Sequence, residues 1–356
     1  RAAPGPSPNP GARAAHRLVP GGVQGSVPAR GTRGLTGSGK TLLLRGRRER
    51  DPCGPRPLQE WRARPRDGER VRIYGIDFTS RPRVGKPITC LACEFEDDRL
   101  RADRLSSWTE FGAFEAALRR RGPWLAGLDL PFGQARRFVE DIGWPLDWEG
   151  YVRTAAALGR DGFRAALDAY RAGRPPGHKE HRRATDVAAG AISPQKLYGT
   201  PVGLMFFEGA PRLRAADVTI PGLREGDPQR IAVEVYPGLL ARTLIGRTSY
   251  KQDTRSKQTT AQAAARRELL KKVTDGVLEP SYGFSIEAPE ALADDPGGDQ
   301  LDALLCAIQA AWAWSRRESG FGLPGQLDPL EGWIVDPKTL ERASAPAAEA
   351  FSAGAG

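Results

Sequence analysis

Four separated stretches of this 356-residue chain place a carboxylate where a buried strand or helix ordinarily carries an apolar side chain. They are Tyr74-Gly-Ile-Asp77-Phe-Thr-Ser80, Leu125-Ala-Gly-Leu-Asp129-Leu-Pro-Phe132, Ile231-Ala-Val-Glu234-Val-Tyr-Pro-Gly238 and Gly298-Asp299-Gln-Leu-Asp302-Ala-Leu-Leu305. Any fold of this chain must give those acids partners or water, because anions drawn together in a low-dielectric cleft repel unless a cation is shared among them. A shared divalent cation on oxygen ligands meets that demand and also supplies chemistry.

The periodicity around these stretches reads as an α/β domain. Residues 71–80 form a strand that ends in a turn, 87–96 its hairpin partner and 100–108 a third, more polar strand. Residues 111–121 have helical spacing, with Arg119, Arg120 and Arg121 at the end where cations complement the helix dipole. A buried strand over 124–132 is stopped by Pro131. Three strands, a helix and a strand are an α/β opening. Residues 133–226 turn helical and loop-like, with a helix over 152–172, and read as an insertion. The pattern then gives a strand over 230–236, helices over 239–245, 257–273 and 299–316, and an edge strand over 332–335. The last long helix carries Leu301, Leu304, Leu305, Ile308 and Trp312 as one stripe.

Charge divides the chain differently. Residues 1–70 hold 15 Lys+Arg against 5 Asp+Glu amid Pro and Gly, and the remainder is neutral. The sequence pI near 9.7 therefore reports a basic tail, expected to be disordered, rather than the domain expected over 71–336. Residues 337–356 are expected to be a flexible C-terminal tail. Four scattered cysteines cannot staple a domain of this size, and no apolar run reaches membrane-spanning length. The expectation is a cytoplasmic protein with no membrane partner.

Strand alternation puts Asp77 on the face of Val71, Ile73 and Gly75, and Asp129 on the side of Leu125 and Gly127. Both acids fall at the C-terminal ends of their strands, where α/β sheets expose ligand sites. Glu234 alternates to the other face with Ala232 and Tyr236, where a sheet-edge glutamate paired to arginine is the alternative reading. Asp299 and Asp302 share one side of the closing helix, and first-turn acids favoured by the helix dipole are the alternative there.

Gly75-Ile-Asp77, Leu128-Asp129-Leu-Pro-Phe-Gly133, Glu234-Val-Tyr-Pro-Gly238, the Tyr250-Lys251 segment and Asp299-Gln-Leu-Asp302-Ala-Leu together resemble the successive motifs of the domain-of-unknown-function family 429. Members are regarded as predicted nucleases with a ribonuclease H-like fold, and the resemblance spans roughly residues 71–336. It implies a mixed sheet flanked by helices and a carboxylate site like that of Holliday-junction resolvases. Two Mg²⁺ or Mn²⁺ ions there would hydrolyse a nucleic-acid phosphodiester in line. On this reading Asp77, Asp129, Glu234 and Asp302 are catalytic, and Asp77, Asp129, Asp299 and Asp302 are metal ligands. Lys251, Arg136 and Arg137 bind substrate, with Lys179, Arg182 and Arg183 of the insertion also suited to phosphates. The type of nucleic acid and the oligomeric state are not legible.

Two other signals weigh little. Gly34-Leu-Thr-Gly-Ser-Gly39-Lys40-Thr41 fits the phosphate-loop pattern but follows no strand, and Cys90-Leu-Ala-Cys93 sits in a strand that would turn its thiols to opposite faces. Rival functions are a phosphotransferase of the actin and sugar-kinase type, read from Asp77-Phe-Thr-Ser80, and a catalytically silent nucleic-acid- or protein-binding domain. The first needs a phosphate cradle between two cores. The second needs the carboxylates engaged by arginines.

Overall fold

The computed structural model describes residues 70–345. The expected basic tail up to residue 69, its phosphate-loop match and Cys53 lie outside the described residues. Strands β1 (Val71–Asp77), β2 (Ile88–Glu96) and β3 (Arg99–Trp108) form an antiparallel meander, and helix α1 (Phe111–Leu118) leads to β4 (Trp124–Leu128), parallel to β1. Helices α2 (Arg136–Asp141), α3 (Trp148–Ala157), α4 (Gly159–Ala172), α5 (Ala184–Ala189) and α6 (Val202–Ala215) precede the short β5 (Val218–Thr219) and β6 (Asp227–Glu234). After them come α7 (Pro237–Ile245), α8 (Thr260–Thr274), α9 (Glu279–Tyr282), β7 (Ser285–Glu287), α10 (Asp299–Ser315) and α11 (Pro337–Ser344). One seven-stranded mixed sheet results, in the order β5-β6-β4-β1-β2-β3-β7.

The two faces of the sheet bury separate cores. Val71, Ile73, Leu125, Ile231 and Val233 face α7, α8 and α10, whereas Ile76, Ala126, Leu128 and Ala232 face α1 and the helices of residues 133–226. The helices of the expected insertion form a full layer of the domain, supplying Phe138, Trp148, Tyr151, Phe163 and Phe206 to its core. Cys90 and Cys93 point into opposite cores, so their spacing holds no common ligand.

Several sequence expectations need correction. The helix expected over 152–172 is two helices, because Gly159 adopts φ +67° and interrupts the hydrogen-bond ladder. The edge strand expected over 332–335 is a single bridge from Ile334 to Glu234. The start of the expected C-terminal tail is helix α11, capped by the Asp336 side chain and opened by Pro337. Strand β7 was not expected, being three residues long and defined only by its pairing with β3. No helix of the described residues is long and apolar enough to cross a membrane.

Helix α10 lies unusually close to the sheet. A Cβ on Gly75 would stand 1.9 Å from the Ala303 carbonyl oxygen and 2.4 Å from the Ala307 nitrogen, and one on Gly127 would stand 2.7 Å from the Cys306 oxygen. Glycine in both strands, against Ala303, Ala307 and Ala310, brings the start of α10 down to the ends of β1 and β4.

Candidate active site at the strand ends

That approach gathers Asp77, Asp129, Asp299 and Asp302 at one end of the sheet. Asp77 closes β1, Asp129 follows β4, and the other two occupy the first turn of α10. Burial pushes the Asp77 carboxyl well above the usual range, and the charges of Asp302, Asp299 and Asp129 push it further. Burial and Asp302 raise Asp129 to about 7, against the pull of Lys251. Asp77 is 9% exposed, and among the described residues neither carboxylate receives a hydrogen bond or ion pair from any side chain or backbone group.

The two helix acids are engaged. Asp302, 1% exposed, accepts from the Tyr250 hydroxyl on one oxygen and from Lys251 Nζ on the other. Asp299 accepts from Lys86 Nζ at 2.7 Å, and Lys86 reaches Asp253 at 3.0 Å as well. Burial raises the Asp299 carboxyl, while Lys86 draws it back down. Among the described residues no three His, Cys, Asp or Glu side chains come together as the ligand shell of one metal ion. Asp302, expected as a third ligand beside Asp77 and Asp129, already has both oxygens engaged by Tyr250 and Lys251.

Glu234 lines the same cleft as Asp129, but it is already held. Its side chain lies on the opposite face from Asp77, where Arg183 donates to its two oxygens at 2.5 and 2.8 Å and the Phe132 amide donates at 2.9 Å. Arg183, 1% exposed, also holds Asp186 through two bonds of 2.8 and 3.0 Å. Neither residue is free for the role expected of it: Glu234 is ion-paired on both oxygens, and Arg183 has every N–H donor spent, leaving none for phosphate. Glu234 still adds to the field that raises Asp129.

The remaining substrate candidates divide. Arg136 is committed to Asp328 through bonds of 2.5 and 2.8 Å, and Arg137 lies 3.8 Å from Asp141 on the exposed side of α2. Neither lines the cleft of about 550 Å³ that opens beside Asp129. Lys251 does line it, with Tyr250, Arg242, Arg247 and Thr248. Sequence reasoning missed Lys86 and Arg247. Both lie in loops with no local pattern, and Lys86 meets Asp299 across 213 residues.

The chemistry of the donor set fits a hard divalent ion at Asp77 and Asp129, since magnesium is commonly held by one or two carboxylates, its remaining positions going to water and substrate phosphate. A family model described as a protein of unknown function (DUF429) matches residues 75–326. No curated protein and no solved structure matches the chain.

Proposed function

Since the chain belongs to the DUF429 family, whose function is unknown, we propose its activity from the site itself: metal-dependent hydrolysis of a nucleic-acid phosphodiester at the ends of β1 and β4. The carrying observation is two neighbouring strand-end carboxylates without partners, Asp77 buried and Asp129 half-buried, the latter raised to about 7. Unpaired acids held out of full contact with water cost stability, and a fold retains them where a cation or reactant completes them. A mixed sheet with acids at these two ends and on the helix across β1 is also what the ribonuclease H-like reading expects, and this supports placing the domain in that superfamily.

In this reading Asp77 and Asp129 hold Mg²⁺ or Mn²⁺. A bound divalent ion polarises a phosphoryl oxygen and makes water a nucleophile near neutral pH. The chain's own groups do the rest. Lys251 spends one of its three donors on Asp302 and keeps two for phosphate, and Arg247 lines the same cleft, exposed. Tyr250 fixes the second oxygen of Asp302, so the Lys251 ammonium group is held in place rather than left to wander.

A catalytically silent binding domain would have every acid engaged; Glu234 agrees with that and Asp77 and Asp129 do not. A kinase-like phosphotransferase needs a second core, and the described residues build one sheet. The test is cleavage of linear, hybrid and branched nucleic acids by the full chain with Mn²⁺ or Mg²⁺, beside Asp77→Asn and Asp302→Asn. Expected is cleavage that requires the divalent ion and falls about 10²-fold or more in Asp77→Asn. Cleavage undiminished in both variants would place the activity outside this site.

A further inference from the structure

Two lysines already sit on two of the four clustered acids. Lys86 is bonded to Asp299 and Lys251 to Asp302, so the ammonium groups balance the helix carboxylates and leave Asp77 and Asp129 as the uncompensated pair. We propose that the site takes one divalent ion, between Asp77 and Asp129, and that the Lys251 ammonium group occupies Asp302 in the place of a second ion. This rests on the metal-dependent reading above and replaces the two-ion arrangement with one ion and one built-in cation.

The lysine is built into the site, not leaning on it. Gly298, at φ +76°, begins α10 where a Cβ would stand 2.8 Å from Lys251 Cβ and 3.3 Å from Tyr250 Cε2. Only a residue without a side chain, in the left-handed conformation, lets residues 250 and 251 lie against the helix start. Arg266, 6% exposed, donates to the Tyr250 carbonyl at 3.0 Å and to the Ala293 carbonyl at 2.8 Å. The Gln252 amide donates to the Pro296 carbonyl at 2.9 Å. The segment carrying Lys251 is thus pinned on both flanks, while its target, Asp302, has one oxygen taken by the lysine and the other by Tyr250.

A divalent ion approaching Asp302 would have to displace an ammonium group that the surrounding backbone holds there. At Asp77 and Asp129 it meets no such competitor. Charge argues the same way: four ionised carboxylates, two ammonium groups and one divalent ion are neutral together, whereas a second divalent ion would leave the buried cluster cationic. The built-in cation differs from a metal in one useful respect. It cannot be chelated, and it carries hydrogen-bond donors that a substrate phosphate can use directly.

Mn²⁺ binding to the full chain without substrate, counted by isothermal calorimetry and by electron paramagnetic resonance, tests this. Expected are one ion on the wild type, none on Asp77→Asn over the same concentration range, two on Lys251→Gln and one on Lys251→Arg. Two ions on the wild type, or one on Lys251→Gln, would overturn the assignment of Lys251 while leaving the metal-dependent reading standing. No ion on the wild type would overturn both. The Lys251 side chain is half-exposed, which favours folded variants, and circular dichroism checks them; should one fail to fold, the wild-type count decides alone.

Discussion

Glu234 and Asp129 stand at the ends of adjacent parallel strands, Glu234 in register with Leu128, yet they are treated in opposite ways. Glu234 has a guanidinium on its two oxygens and a backbone amide besides. Asp129 has burial and the repulsion of Asp302 against it and, on the other side, the pull of Lys251 without a bond. Glu234 is buried and Asp129 half-buried, but the larger difference is in what meets each carboxylate. What separates them is the partner: the glutamate fastens the layer of residues 133–226 to the sheet, and the aspartate is left for something that binds.

The strongest way to break this comparison is to cut the fastening. Arg183→Ala strands Glu234 and Asp186 as buried, uncompensated charges, and such losses run to about 3–5 kcal/mol. Urea unfolding should show that loss with little change in slope. A loss below about 1 kcal/mol would mean that water or another cation reaches Glu234, and its contrast with Asp129 would collapse.

The open pair should respond with the opposite sign. A carboxyl whose folded pKa is raised binds more protons folded than unfolded, so stability falls as pH climbs from its ordinary value to the raised one. For Asp129 that window runs from 3.8 to about 7, and Asp77 shifts in the same direction. The metal-free chain should therefore lose stability across this window, and Asp77→Asn should be more stable than the wild type at pH 8. Added Mg²⁺ should restore the wild type and leave the variant unchanged. A flat profile in metal-free buffer would show that the pair is already compensated.

The sequence made the open pair legible because its signals are local. Strand alternation, a glycine two residues upstream and position at a strand end place Asp77 and Asp129 on the face toward α10, and the i, i+3 spacing places Asp299 and Asp302 together. The same alternation put Glu234 on the other face. Its arginine was not legible, since Arg183 lies 51 residues away in a segment that reads as a charged loop. Lys86 was hidden for the same reason, and the layer formed by residues 133–226 looked like an insertion because its helices are short and broken by glycine. Periodicity reports which face a residue takes; only folding reports what meets it there.

The smallest effects sharpen the comparison from outside the site. Arg137 is 59% exposed at 3.8 Å from Asp141, and Arg136 is 39% exposed against Asp328, so replacing either by alanine should cost no more than about 1 kcal/mol. Because neither lines the cleft, neither change should alter the salt dependence of nucleic-acid binding, measured by fluorescence anisotropy in calcium to suppress cleavage. Arg247→Ala should lower that slope by about 1, the loss of one phosphate contact, while leaving stability within about 0.5 kcal/mol. If Arg136→Ala moves the slope and Arg247→Ala does not, the substrate crosses α2 rather than the cleft. The unpaired acids would then lie off its path, and the difference between Asp129 and Glu234 would concern folding alone.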